Sequence, residues 1–276
     1  MVLYENLIYE NHLGELFDDN RVYLNYTDLY DYSWNYDTLN SRVSRFYRSV
    51  TERKLPLTIV ADRGDDWWYI KSELSRIVEK DIIAKIPGKI WFNGFYTQGF
   101  ITGSAVSQYL KAVRFGKLDL TLTSDDPAWY REHYYEFFPT TATVSGDGYD
   151  FPFDYAYDYK TKARTTQNLE CDSLSGNEFK IVIYGEAINP SIKIGNHEYT
   201  INGTVGADET LLIDSLAKKI TLTSQSGQKL NWFDRRNRNN YIFEQIPAGI
   251  NNVSWDGSFG FDLTVIEKRS DPIIWT

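Results

Sequence analysis

The residues with which this chain could do chemistry are its histidines, its acids and its one cysteine. The three histidines, His12, His133 and His197, are far apart. His197-Glu198-Tyr199 opens like the zinc-protease helix H-E-x-x-H but lacks the second histidine one turn on. Hydrolysis by paired carboxylates needs two acids held at a defined separation, and among 38 Asp and Glu no short motif singles out a pair. Asp147, Asp150, Asp154 and Asp158 could hold calcium loosely, yet their spacing is not that of an EF-hand loop, and a solvated linker is the plainer reading. Cys171 stands between Glu170 and Asp172, whose charges disfavour a thiolate. No G-x-S-x-G elbow occurs, and no phosphate loop ending in Gly-Lys-Ser/Thr. The reading is therefore no catalytic residue, no metal ligand and no cofactor.

Binding has more to work with. Trp232 and Trp255 are candidate platforms for stacking on the apolar face of a sugar. Arg235, Arg236 and Arg238, among Asn237, Asn239 and Asn240, read as a basic loop tip for a glycan or protein partner, or simply as a soluble loop. Arg42, Arg45 and Arg48 lie beside Phe46 and Tyr47. In an extended segment side chains alternate, so the three arginines cannot share one face. They are candidates for pairing with acidic groups of a neighbouring subunit; a solvated strand is the alternative.

The elements that must position these residues are mostly strands. Leu57, Ile59 and Val60 predict a strand from Pro56 to Ala61. Trp67, Ile70, Leu74, Ile77 and Val78 recur at spacings that gather them on one face of a helix. Asp65 and Asp66 suit its positive end, and Lys85, Pro87 and Gly88 stop it between Asp81 and Lys85. Asn93-Gly94, between Ile90-Trp91-Phe92 and Phe95-Tyr96-Thr97, predicts a tight hairpin. Strands are expected over Ala105 to Phe115 and Leu118 to Thr123, stopped by Asp125-Asp126-Pro127. The tract from Tyr149 to Tyr159 alternates aromatic and acidic residues.

From Phe179 onward period-two alternation dominates. It predicts strands at Phe179 to Tyr184, Ser191 to Ile194, Glu198 to Ile201, Thr210 to Ile213, Ile220 to Thr223, Tyr241 to Phe243, Asn251 to Trp255 and Phe261 to Ile266. Turn signals separate them at Asn189-Pro190, Gly195-Asn196, Asn202-Gly203, Ser226-Gly227 and Asp256-Gly257. Short strands so spaced argue for a sandwich of two antiparallel sheets. The expected architecture is mainly β, or α+β: residues 1–140 with one main helix, then residues 141–276 as the sandwich.

Composition sets the outer bounds. At 276 residues the chain has room for two ordinary domains, and 42% apolar with 24% charged residues is a globular composition. Aromatics make up 16%, as suits strands and interfaces. A net charge of −9 argues against a surface that holds nucleic acid or anionic membrane. The single cysteine allows no internal disulfide and suits assembly in a reducing cytoplasm. Residues 1–10 lack the basic and apolar regions of a secretory signal. No apolar run is long enough to span a membrane.

In the order of its parts the chain resembles the distal tail (Dit) proteins of long-tailed phages that infect Gram-positive bacteria. The similar parts are Leu57 to Ala61, Asp65-Asp66-Trp67-Trp68, Asn93-Gly94 and Asp125-Asp126-Pro127 in the first region. In the second they are Gly195-Asn196, Leu211-Leu212-Ile213-Asp214-Ser215 and Ile246-Pro247-Ala248-Gly249-Ile250-Asn251. The resemblance implies a structural virion protein without enzymatic activity, made in the host cytoplasm and sited at the tail tip. It implies a homohexameric ring built by the N-terminal domain and a galectin-like C-terminal sandwich. Its implied partners are the tail tube protein, the tail-associated hub or lysin protein and receptor-binding proteins. The galectin sugar motifs, H-x-N-P-R and W-G-x-E-x-R, do not occur here. The alternative reading is a carbohydrate-binding sandwich that contributes to host-surface adhesion.

Overall fold

A computed structural model describes residues 5–63, 66–110, 114–139, 165–171, 173 and 175–272. The readings placed on Asp65, on the 140/141 boundary, on the acids from Asp147 to Asp158 and on the Tyr149 to Tyr159 tract fall outside these residues. The chain divides into two compact units, Met1–Arg131 with Lys268–Thr276, and Glu132–Glu267. Among the described residues no helix is long and apolar enough to cross a membrane.

The first unit contains β1 (Glu5–Glu10), β2 (Leu16–Leu24), β3 (Asn35–Leu39), β4 (Arg42–Tyr47), β5 (Thr51–Val60), α1 (Asp66–Ala84), β6 (Gly88–Phe92), β7 (Phe95–Leu110), β8 (Phe115–Ser124) and the start of β9 (Trp129–Phe137). Its antiparallel pairings run β1–β2–β5–β8–β7–β6 and return to β1, a closed circuit. Closure satisfies the backbone groups that an open sheet leaves at its edges. Alternation puts Leu55, Leu57 and Ile59 of β5 and Leu118, Leu120 and Leu122 of β8 inside. The helix adds Trp67, Ile70, Leu74, Ile77 and Val78, the face read from its spacing. The hairpin turn is also as expected: Asn93 and Gly94 join β6 to β7 with φ of 46° and 76°.

Two strands differ from expectation. The run expected from Ala105 is the second half of a continuous strand that starts at Phe95. The strand expected from Pro56 begins at Thr51. Glu52-Arg53-Lys54 look like loop residues, yet Arg53 is only 4% exposed, and its guanidinium donates to the Asp31 carbonyl at 2.6 Å. Burial pulls its pKa down.

The second unit contains the rest of β9, then β10 (Thr165–Cys171), β11 (Glu178–Tyr184), β12 (Ala187–Ile188), β13 (Ser191–Ile194), β14 (His197–Thr200) and β15 (Thr204–Val205). It continues with β16 (Thr210–Asp214), β17 (Lys219–Thr223), β18 (Lys229–Asn231), β19 (Gly249–Trp255) and β20 (Gly260–Arg269). One sheet has the order β18-β17-β16-β11-β20-β9 and the other β10-β19-β13-β14, with β12 and β15 as a small separate pair. Phe179, Ile181, Leu211, Ile213, Phe261 and Leu263 of the first sheet share a core with Leu169, Ile192, Ile194, Tyr199, Val253 and Trp255 of the second. This is the sandwich that the alternation predicted, and the turns at Asn189, Gly195, Gly227 and Gly257 take positive φ. The strand expected at Tyr241 to Phe243 is a turn instead. Its side chains do not alternate across a sheet: Ile242 and Phe243 are both buried, and Tyr241 is exposed.

Glycine at 116 is a condition of the helix packing. A Cβ there would stand 2.1 Å from Trp67 Nε1, and Trp67 is fully buried. Gly116→Ala should therefore destabilise the protein by about 1–3 kcal/mol through overpacking, read as a lower urea midpoint with an unchanged slope.

Candidate functional site

The groups that could do chemistry are engaged in holding the fold. Asp81, fully buried on α1, accepts from the Tyr9 hydroxyl on one oxygen; His12 N–H, at 2.9 Å, and His12 Nδ1, at 2.5 Å, meet the other. Burial, and then the Asp81 carboxylate, push the Tyr9 hydroxyl far above the ordinary phenol range. Gly88 closes over this cluster: a Cβ there would lie 2.1 Å from Tyr9 Oη and 2.4 Å from Asp81 Oδ2. The cluster thus ties β1 and the segment after it to the end of α1. His133 lies 3.3 Å from Glu267, and His197 lies 2.9 Å from the Tyr241 carbonyl. Cys171 is buried, and burial raises its thiol pKa, a stronger reason against a thiolate than its acidic neighbours. Among the described residues no group of three or more His, Cys, Asp or Glu side chains is placed to hold a metal.

The two tryptophans part company. Trp255 is a core residue, edge-on to Phe137 and Phe261, and its Nε1 donates to the Phe259 carbonyl at 3.0 Å. This corrects the expectation of a stacking platform there: inward alternation on β19 carries the indole into the sandwich. Trp232 is half-buried, packed against the same core just before a short 3-10 turn at Phe233–Arg235. Arg235 and Arg238 are exposed, while Arg236 lies over the Phe233 ring at 3.9 Å.

The other three arginines bracket the most unusual surface of the first unit. β3 and β4 pair only with each other among the described strands, and every residue of both is exposed. Asn40 and Ser41 turn the hairpin with φ of 50° and 62°, the paired positive values that match strand twist. Arg42 and Arg45 lie on β4. Arg48 does not join them. Its side chain is 9% exposed, its guanidinium sits 4.4 Å from the Trp34 ring centroid, Nη2 donates to Ser270 Oγ at 2.7 Å, and Nη1 lies 3.7 Å from Asp126 Oδ1. Trp34 precedes β3 and Arg48 follows β4, so this contact clamps the neck of the hairpin. Arg48 is thereby spent within the chain, which corrects its expected place at a subunit contact. The reason is its position at the strand end, where the chain turns into the core.

Beyond the neck, Tyr36, Val43 and Phe46 are apolar side chains in water on one face of the hairpin, Phe46 being 62% exposed, while Leu39 pairs with Arg42 on the other face. An isolated two-stranded hairpin is marginally stable, and a contiguous exposed apolar patch marks an interaction surface. A second apolar surface of the same unit is a groove of 430 Å³ between α1 and β7, lined by Leu74, Val78, Ile82, Ile83, Ile101 and Leu120.

Asp126 holds the clamp and reports on it. Burial acts to raise its pKa, but the Lys268 ammonium, the Tyr130 hydroxyl at 2.6 Å and the Arg48 guanidinium together bring it below the ordinary carboxylate value of 3.8. A depressed folded-state pKa adds stability above the unfolded value, and that stability is lost as pH falls through the folded value. Asp126→Asn should therefore be less stable than the parent at pH 7, with the difference shrinking below about pH 4. Paired urea titrations across pH 2 to 7 measure this; a constant difference would show that the carboxylate charge is not what holds the neck.

No protein-family model and no curated protein sequence matches the chain. Solved structures do. The crystal structure of SPP1 Dit, described as a paradigm of the hub adsorption apparatus in phages infecting Gram-positive bacteria, superposes with a TM-score of 0.57 at 10% identity, covering 95% of this chain and 98% of that one. A chain of the phage P2 baseplate in its activated conformation with Ca gives a TM-score of 0.63 at 10% identity, covering 98% and 100%. The same baseplate with Sr gives 0.61, at the same identity and coverage. The chain therefore has the fold of SPP1 Dit and of this phage P2 baseplate chain, in line with the resemblance read from sequence.

Proposed function

We propose that this chain is a structural protein of a phage virion, sited at the distal end of the tail. There six copies form a ring that joins the tail tube to the host-adhesion apparatus. The observation that carries the reading is the shared fold along nearly the whole length of this chain and of SPP1 Dit. Fold alone does not assign function, so the surface must agree. The β3–β4 hairpin supports a self-assembling role, because its apolar residues lack cover within the described chain. A patch on one copy that meets a different patch on the next closes into a ring when the rotation allows.

In this reading the first unit builds the ring and the second is a galectin-like sandwich available to tail or receptor-binding partners. The role involves no catalytic step. The alternative as a sugar-stacking module rests on Trp232, since Trp255 is walled into the core.

Negative-stain electron microscopy of the purified chain should show six-fold rings. Val43→Ser with Phe46→Ser should convert them to monomers with an unaltered far-ultraviolet spectrum. A discrete monomer at every concentration, or rings that persist in the double variant, would contradict the proposed assembly.

A further inference from the structure

Within a chain of net charge −9, the segment from Lys218 to Tyr241 has six cations, Lys218, Lys219, Lys229, Arg235, Arg236 and Arg238, against Asp234 alone. The rest of the chain therefore carries −14 against +5 here. The fold gathers these groups. Lys218, Lys219 and Lys229 line, with Thr221, Asn231 and the apolar Ile220, Leu230 and Phe233, a hollow of 440 Å³ beside β17 and the edge strand β18, and among the described residues no carboxylate lines it.

Aromatic rings fix two of the cations. Arg236 stacks on Phe233, with its Nη1 donating to the Phe233 carbonyl at 2.7 Å. Lys218 Nζ lies 5.9 Å and 5.6 Å from the centroids of Tyr241 and Phe243. Nearby acids neutralise little. Glu178 reaches Lys218 at 3.4 Å, Asp234 reaches Arg236 at 3.8 Å, and Asp214, opposite Lys219, accepts the Ala217 N–H. Among the described residues no carboxylate stands within ion-pair distance of Lys219, Lys229, Arg235 or Arg238. Asn231 spends its oxygen on the Phe233 N–H at 2.9 Å, which leaves its NH₂ as a donor. The hollow thus sets three lysines and two polar side chains beside an apolar floor, and of its lysines only Lys218 has a carboxylate within ion-pair distance among the described residues.

We propose that this hollow binds a phosphate-bearing polyol or sugar polymer, with Lys218, Lys219 and Lys229 on its phosphates and Asn231 and Thr221 on its hydroxyls. Lysines bind phosphate as point charges. A carboxylate clamp would want a guanidinium fork in the hollow, and the cations that line it are all lysines. Single-stranded nucleic acid needs open aromatic faces for successive bases, and cations occupy the faces of Phe233 and Tyr241 here. A protein interface core is depleted of lysine, and this hollow has three lysines.

The site goes beyond the tail-assembly reading and does not require a ring. The full chain is titrated by calorimetry with poly(glycerol phosphate), and in parallel with polyglutamate, single-stranded DNA and neutral dextran. Expected is binding of poly(glycerol phosphate) that weakens with salt and falls at least tenfold in the triple variant Lys218→Gln, Lys219→Gln, Lys229→Gln, with melting unchanged. Should the triple variant fold poorly, Lys229→Glu alone, on the exposed edge strand, must give the loss. No binding of poly(glycerol phosphate), undiminished binding by these variants, or equal binding of polyglutamate, DNA or dextran would overturn the proposal. Light scattering on the same samples reads oligomeric state separately, so a failed ring and a failed site are distinguishable.

Discussion

Unpaired strand edges are the constraint on which this structure depends. A backbone N–H or C=O left without a partner away from water costs free energy comparable to a lost hydrogen bond, so an all-antiparallel chain must close, cover or solvate every edge. The first unit closes: its circuit returns from β6 to β1, and α1 fills one side of the core with Trp67 and the aliphatic residues behind it. The second unit instead stacks two sheets that do not close on themselves, so edge strands such as β18 have a neighbour on one side only among the described strands. Both proposed activities fall on what closure leaves over. The β3–β4 hairpin lies outside the circuit, and the basic hollow lies along an open edge.

That arrangement also accounts for where several reactive side chains sit. Asp81, Tyr9 and His12 have the composition of a catalytic cluster. Tyr9 and Asp81 are buried beneath Gly88, and with His12 they fasten a loop to a helix. Arg48 is a comparable case. A cation that composition would assign to a surface contact becomes the clamp between Trp34 and Asp126, and so determines where the hairpin leaves the body of the unit.

Much of the fold was legible in the residues, for physical reasons that can be named. The spacing from Trp67 to Val78 admits one face only, and Asn93-Gly94 admits one kind of turn. Alternation from Phe179 onward requires a sheet with one side dry. What escaped were cases where tertiary contacts override local character. Glu52-Arg53-Lys54 form part of a strand by pairing with Thr121 to Thr123 of β8, and the Asp31 carbonyl accepts the buried Arg53 guanidinium. Trp255 and Trp232 look alike as letters, and only their register against the core separates them. The basic loop at Arg235 to Arg238 was visible, but Lys218, Lys219 and Lys229 come from other segments, and only the pairing of β17 with β18 brings them beside it.

The central claim is that the exposed face of the β3–β4 hairpin is completed by another copy of the chain. Amide hydrogen exchange over residues 35–47, compared between assembled particles and dilute monomer, tests it most directly. The account predicts that exchange there slows at least tenfold on assembly, while the closed strands β5 and β8 exchange alike in both states. Equal exchange of the hairpin in the two states would contradict it.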